Sequence, residues 1–397
     1  MNTKHLPSSG LRSTSKLSIF ILSLVLSGLL LTGQARAAER TITPSVGVKA
    51  EYNDNIDFSH GNERDDYVGT ISPGLKLDYK TERTVLGAMA RIDVVEYLDE
   101  TDENTVNQTY GLNASHMLLE KLGIRANAGY IRDTTTDSYL EETGLITRKS
   151  TRHSYRAGAG LTYNLTEISD LGLDYAYSKS DYDAEDKVDS TKDTVSMAYR
   201  HFFRERRDIV TVTPFYSRYD SDTSTTDNYG LSVGLTHRLQ ETLVMDVALG
   251  IRYSDAEYHD LGTTDDNWDW TANIAATKSW ETASATIGYG RDLYYSDQGE
   301  PINVDRFYAR TNRNLTERFG VSLTGSLYFS KSDDEVGNED TRYWEVTPSL
   351  YYNITRDHRL EVGYSYANDY DKTLTEDDEA ERNRIWVLLT FNFPKTW

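Results

Sequence analysis

The sequence contains no cysteine. Disulfides, thiolate nucleophiles and thiolate metal sites are therefore excluded, and so is lipid attachment at an N-terminal cysteine. Proline is scarce, at seven in 397 residues. Beyond residue 37 no run approaches the roughly 18–20 consecutive apolar residues that a membrane helix needs. Basic residues are few as well: 42 Lys and Arg stand against 63 Asp and Glu. A chain with net charge −21 lacks the basic surface that phosphate backbones require, which excludes nucleic acid as a partner. The mean hydropathy of −0.61 reads as a soluble acidic protein. Window averages, however, cancel over strands whose apolar and polar residues alternate.

Residues 1–37 are set apart by composition. Lys4, Arg12 and Lys16 form a basic start, Leu17–Leu31 is an apolar stretch too short to span comfortably, and Ala35-Arg36-Ala37 fits a small-residue cleavage site. This reads as a cleaved signal peptide followed by one domain, 38–397. The segment carries four basic residues and no acid, so its removal takes the net charge from −21 to −25.

What the rest of the chain has is alternation. In Arg384–Trp397, Ile385, Val387, Leu389, Phe391, Phe393 and Trp397 share one parity, while Arg384, Thr390 and Asn392 take the other. Successive side chains of a strand point to opposite faces, so one face is apolar and the other polar. The same pattern opposes Leu243, Met245, Val247, Leu249 and Ile251 to Asp246, Ala248, Gly250 and Arg252. Eighteen such segments are placed, at 41–52, 66–79, 84–98, 106–119, 122–136, 150–164, 170–182, 190–203, 208–219, 226–239, 242–258, 266–280, 282–297, 304–315, 318–332, 340–354, 358–372 and 383–397. They are longer than the roughly 5–6 residues usual in a soluble sheet. Short turns alternate with longer loops rich in Asp, Glu, Ser and Thr, which is the turn-and-loop asymmetry of transmembrane barrels. The expected fold is all-β, an antiparallel up-and-down transmembrane barrel of about 18 strands, with 16 as the alternative. Both termini are then periplasmic. Tyr and Trp gather near strand ends, as interfacial girdles do.

Pro44, Pro73, Pro214 and Pro348 sit inside predicted strands on the apolar parity. Proline removes a ladder donor; bulges at the barrel rim would accommodate it, but the sequence itself shows none. Pro394 likewise interrupts the last strand.

The motif Tyr52-Asn53-Asp54-Asn55-Ile56 after the first strand, Ile71-Ser72-Pro73-Gly74-Leu75 in the second, the recurrent Asn-Leu/Ile-Thr turns and the aromatic C-terminus carry a resemblance. The chain resembles the outer-membrane β-barrel porins of the second porin-like type found with exopolysaccharide gene clusters. The resemblance covers essentially the whole mature chain. It implies a location in the outer membrane of a Gram-negative bacterium. It also implies a C-terminal strand, with Phe391, Phe393 and Trp397, that is read by the barrel-insertion machinery, and export of an extracellular polysaccharide. The partners implied are outer-membrane lipid and lipopolysaccharide, the insertion machinery, the polysaccharide and periplasmic export components.

No catalytic constellation is present, and neither metal ligands nor cofactor motifs stand out, so no enzyme activity is expected. His201, His237 and His358 lie near short turns as interfacial polar residues. Asn164, Asn314 and Asn353 head Asn-x-Ser/Thr triplets that read as turns, because Asn bonds its own backbone there. The acid pairs Asp65-Asp66, Asp265-Asp266, Asp333-Asp334 and Asp377-Asp378 read as solvated loop charge. Opposite the apolar parity lie Arg125, Arg156, Arg200, Arg252 and Arg310, with Asp93, Asp174, Asp246, Asp269, Glu345 and Glu361. These are the candidate pore-lining residues, since barrels of 16–18 strands enclose an aqueous interior. Loop 137–149 is long enough to fold inward as a constriction. The favoured reading is polysaccharide export through a charged lumen. The alternatives are a general or small-solute diffusion porin and a structural or adhesive barrel with a plugged lumen.

Overall fold

The computed structural model describes residues 38–204, 207–259, 262–333, 339–372 and 378–397. The expected signal peptide lies outside the described residues, as do Asp334 and Asp377 of the expected acid pairs.

The strands, in chain order, are β1 (Glu39–Asn53), β2 (Asp66–Lys80), β3 (Thr84–Tyr97), β4 (Thr105–Leu119), β5 (Leu122–Thr134), β6 (Thr151–Thr166), β7 (Ser169–Tyr182), β8 (Ser190–Phe203), β9 (Asp208–Ser221), β10 (Ser224–Gln240), β11 (Leu243–Tyr258), β12 (Thr263–Ser279), β13 (Ala283–Tyr295), β14 (Pro301–Asn314), β15 (Phe319–Ser332), β16 (Asp340–Asn353), β17 (His358–Asp371) and β18 (Asp378–Asn392). The last strand resumes after Pro394 as Lys395–Thr396. Every strand pairs antiparallel with its chain neighbour, and β1 also pairs with β18, so the sheet closes into an 18-stranded barrel. The even count of 18 holds over 16. Some expected loops are shorter than the sequence suggests. The polar ends of β9 and β10 stay paired up to Asp220 and Thr225, leaving a tight hairpin where a loop at 220–225 is expected.

The closing seam runs from Asn53↔Arg384 to Ser45↔Asn392 and continues in the same register at Ile42↔Lys395 and Thr41↔Thr396. Pro394 falls in the short interruption between these two stretches, beside Pro44. Two residues without a backbone donor thus share one gap, which Phe393 N–H bridges to the Pro44 carbonyl at 2.9 Å. Trp397 and Arg40 then exchange both backbone bonds, at 3.0 and 3.2 Å.

No bulge accommodates the other prolines. Pairing of β2 with β3 skips from Ile71↔Val94 to Gly74↔Arg91, β8 with β9 from Ser196↔Phe215 to Tyr199↔Val212, and β16 with β17 from Val346↔Tyr366 to Ser349↔Gly363. The register is unchanged across each skip. The strand gives up a bond locally and inserts no residue, because a bulge would turn every later side chain to the wrong face. The register shifts that do occur sit beside short turns, at Met117/Leu119, Asn164/Thr166 and Arg238/Gln240.

The outer face is an exposed apolar belt: Val46 and Val48, Leu173, Leu231, Val233 and Leu235, Leu249 and Ile251, Ile385 and Val387. A continuous apolar band around a sheet is incompatible with water and matches a bilayer core. The belt is bounded toward the long loops by tyrosines whose hydroxyls donate to carboxylates one step further out. These are Tyr52 to Asp65 at 3.1 Å, Tyr216 to Asp227 at 2.6 Å, Tyr366 to Glu381 at 2.9 Å, and Tyr289 to Asp305. An apolar ring body with a polar tip suits that boundary. The opposite rim carries Phe203, Trp280 and Trp397, all exposed. His358 lies there too, between Phe391 and Phe393 at 5.4 and 5.5 Å, and His237 contacts Asp208 at 2.5 Å.

Since the chain has no native thiol, closure is directly testable. The double variant Ala50→Cys/Val387→Cys places thiols on directly paired residues of β1 and β18, within disulfide reach. Oxidation should form an intramolecular disulfide, seen as loss of both free thiols by mass spectrometry. Two persistent free thiols in the folded protein contradict the seam.

Candidate functional site

The long loops do not stay outside. Between β5 and β6 the chain forms α1 (Thr135–Thr143), and the expected inward constriction is there. Its apolar side chains Tyr139 and Leu140, with Leu145 just beyond, pack against Ile302, Val304, Tyr328 and Tyr343 of the wall and against Phe58 of the first loop. α1 ends at Gly144 with φ +72°, where the Tyr328 ring presses so close that no Cβ fits. The Tyr328 hydroxyl donates to the Glu141 carbonyl at 2.8 Å, and Ser330 donates to the Thr143 carbonyl. Charge holds both ends of the helix. Asp137 bonds Arg382 at 2.9 Å and Arg384 at 3.2 Å, and Glu142 bonds Arg152 at 3.0 Å and Arg156 at 3.1 Å. These partners lie on β18 and on β6, and their contact with the same helix identifies their shared parity as the lumen face.

A second inward structure comes from the wall itself. The β12–β13 ladder stops at Ala272↔Arg291, so Thr263–Thr271 has no partner on β13. Above that point the outward side chains of β13 meet inward side chains of earlier strands. Arg291 reaches Asp269 at 3.0 Å, and the Tyr295 ring stacks on Tyr219 at 3.5 Å, with Asn228 donating to its hydroxyl at 3.0 Å. Asp333, at the end of β15, accepts from Arg252 at 3.1 Å. The tops of β13–β15 therefore slip inside β9–β12 and line the lumen as an inner layer. The following loop is pinned where Lys187, itself buried, bonds Asp297 at 2.9 Å and Thr147 at 2.6 Å.

The Tyr52–Ile56 motif has a structural role. Asp54 accepts from the Asn383 backbone at 2.6 Å and its side chain at 2.8 Å. Asn55, fully buried, donates to the Glu381 and Ser59 carbonyls, both at 3.0 Å. The motif staples the first loop to β18, and Phe58 then enters the lumen with Arg382 4.5 Å above its ring.

The expected pore-lining residues occupy the lumen parity, and most are ion-paired. Arg125 pairs with Asp174, and Arg252 with Asp269 at 3.8 Å. Arg156 reaches α1, while Glu345 accepts from Arg384 at 2.9 Å. Asp93 pairs with Arg91 at 2.7 Å, Arg200 with Asp170 at 2.6 Å and Glu361 with Arg359 at 3.3 Å, while Asp246 accepts from Thr236 at 2.6 Å. Arg310 has no ion pair among the described residues. Sequence reasoning left Arg152, Lys192, Arg306 and Arg382 out of the pore-lining set, although parity places them in the lumen, and it placed Arg384 on the polar face without assigning it there. It also missed Asp137 and Glu142, which lie on the helix that parity does not reach.

Two cavities lie beside these inward structures. One, of about 890 Å³, is an outer vestibule bordered by Phe58, Arg64, Lys149 and Asp369. The other, of about 720 Å³, lies against β8–β14 and is bordered by Lys192, Phe215, Arg306, Tyr308 and Arg310. Among the described residues no cluster of three or more His, Asp and Glu is arranged to hold a metal. In the vestibule, hydrogen bonds to Glu103 and Asp57 hold the Arg64 guanidinium above its ordinary pKa. Burial pushes the Glu103 carboxyl up, but Lys149 and Arg64 more than offset it, leaving it below its usual range. Among the described residues no cation offsets burial in the same way at Glu339. Burial first, then Asp371, Glu300, Asp297 and Asp369, raise it to about 7.

No protein-family model matches the chain, and no curated protein matches it in sequence. Solved structures match by shape. Pseudomonas aeruginosa OpdK, crystallised with vanillate, is 9% identical with a TM-score of 0.50, over 92% of this chain and 100% of that one. Pseudomonas aeruginosa OccK2 (OpdF) is 9% identical with a TM-score of 0.50, over 90% and 98%. At such identities the likeness is one of fold: a closed antiparallel barrel. It agrees with the porin-like barrel that the sequence resemblance implies and adds nothing for the link to exopolysaccharide.

Two outcomes follow. Leu140→Ala removes a fully buried side chain from α1 and should cost on the order of 2–5 kcal/mol of α1 docking. Limited proteolysis should then cut within 135–150 while the barrel stays intact; unchanged resistance contradicts the docking. A carboxyl whose folded pKa is raised opposes the folded surroundings of Glu339 when ionised. Hydrogen-exchange protection of the Glu339 backbone N–H, which donates to Ser332 at 2.7 Å, should therefore fall as pH rises from about 4.5 through about 7, and Glu339→Gln should flatten that dependence.

Proposed function

We propose that the protein is an outer-membrane channel through which small hydrophilic solutes diffuse, with both termini periplasmic. The observation that carries this reading is the lumen. The apolar belt favours a bilayer environment, and the interior is charged and Gly-rich rather than apolar. Its outer half is narrowed by α1 and by the inward tops of β13–β15, which leave chambers of about 720 and 890 Å³. Spaces of this size suit metabolites. An extended polysaccharide needs a continuous wide bore, and no feature of this interior favours one over the small-solute reading. The fold likeness to OpdK, whose crystals contain vanillate, is in keeping with that choice. The dense ion pairing across the wall limits which lumen charges act on a passing solute: Arg125 and Asp174 neutralise each other, whereas Arg310 faces the cavity.

Phe391, Phe393 and Trp397, which share the outward parity at the closing seam, act in this reading as the signal for the insertion machinery. Lipopolysaccharide surrounds the carboxylate-bearing outer rim.

Purified protein in liposomes should pass monosaccharides and exclude a heptasaccharide in a swelling assay. Equal entry of both contradicts the narrowed lumen, and entry of neither favours the plugged barrel.

A further inference from the structure

Most charges in the lumen are matched, which makes the unmatched ones informative. Among the described residues no carboxylate lies within ion-pair distance of Lys192, Arg306 or Arg310, although all three border the 720 Å³ cavity. The acids bordering the same cavity are committed or outnumbered. Glu142 already bonds Arg152 and Arg156, and Asp292 accepts the Leu293 backbone N–H at 2.8 Å. Arg252 also borders the cavity. It is 2% exposed, and its Nη1 has no hydrogen-bond partner although its other nitrogens do. Arg306 and Arg310 are exposed to the lumen and Lys192 is half-buried, so their unmatched charges make a positive field in the chamber that draws in an anion. With Asp292 subtracted from Lys192, Arg306 and Arg310, the unmatched charge corresponds to a dianion.

The same cavity presents flat apolar surfaces. Phe215 lies over Gly230 and Tyr308 over Gly288, each so close that a Cβ on the glycine would collide with the ring. Glycine opposite an aromatic lets the ring lie against the wall and show its face to the lumen. The Arg306 guanidinium sits 5.7 Å from the Tyr308 ring and 5.1 Å from Tyr328, which holds it out along the wall.

We propose that this chamber is a binding subsite for a small dianionic solute with a ring, the size of a phosphorylated monosaccharide. Lys192 on β8 and Arg306 and Arg310 on β14 take the charge, and Phe215 and Tyr308 take the ring's C–H face. The subsite exists because the tops of β13–β15 fold inside the barrel and bring β14 toward β8. It deepens the small-solute reading and rests on it.

The test is calorimetric titration of the full chain in detergent with glucose 6-phosphate and, in parallel, with glucose. Binding is read without reference to conduction, so a non-conducting protein that binds leaves the subsite standing, and a conducting protein that does not bind overturns it alone. Glucose 6-phosphate should bind at least tenfold more tightly than glucose. Arg306→Gln and Lys192→Gln should each weaken it several-fold, in line with charge-assisted hydrogen bonds, while Lys372→Gln in an outer loop should not. Arg306→Lys keeps the charge and should retain most of the affinity, which separates a binding role from a folding defect. Equal affinity for both sugars, or affinity unchanged in the Gln variants, overturns the proposal.

Discussion

Everything in this molecule depends on satisfying backbone hydrogen bonds where no water can. In a bilayer an open sheet edge leaves a row of unpaired N–H and C=O groups, each costing several kcal/mol, so a strand-built wall has to close. Closure falls on β1 and β18, the ends of the described chain. That is why the seam is reinforced beyond its ladder: the Asp54 and Asn55 staples to β18 hold it at one end and the Arg40–Trp397 exchange at the other. It also explains how prolines are handled. A skipped bond is a local loss, whereas a shifted register would expose polar side chains to lipid along a whole strand.

Closure creates a second problem, an interior wide enough to fill with water. The chain answers with its own loops. α1 brings in acids that meet a basic stretch of wall at Arg152, Arg156, Arg382 and Arg384. The β13–β15 tops bring outward-facing residues against inward-facing ones, so that Tyr295 on Tyr219 and Arg291 on Asp269 become interior contacts. The one place where the β12–β13 ladder fails is thus the place where the lumen is most remodelled. Wall and contents are one structure.

The wall was legible in the sequence because strand periodicity is local and strict. The eighteen segments, the polar parity of residues such as Arg125 and Glu345, and the aromatic terminus at Trp397 all follow from alternation. The contents were not legible for the same reason. Alternation says that Arg384 and Arg306 point inward but not what they meet, since Asp137 and Tyr328 arrive from distant parts of the chain. Nor does alternation reveal that the outward parity of Tyr295 ends inside the barrel, because that depends on where one ladder stops. The inward loop was only an expectation of length, and its apolar anchors Tyr139 and Leu140 are too few to register as a periodic signal.

In the proposed channel, α1 and its partners narrow the lumen. Single-channel conductance in a planar bilayer, compared between the native protein and Asp137→Asn/Leu140→Ala, tests it most directly. The native protein should show a small steady conductance that rises severalfold and becomes noisier when α1 is released. A native conductance already as large as that of the variant, or no current from either, contradicts it.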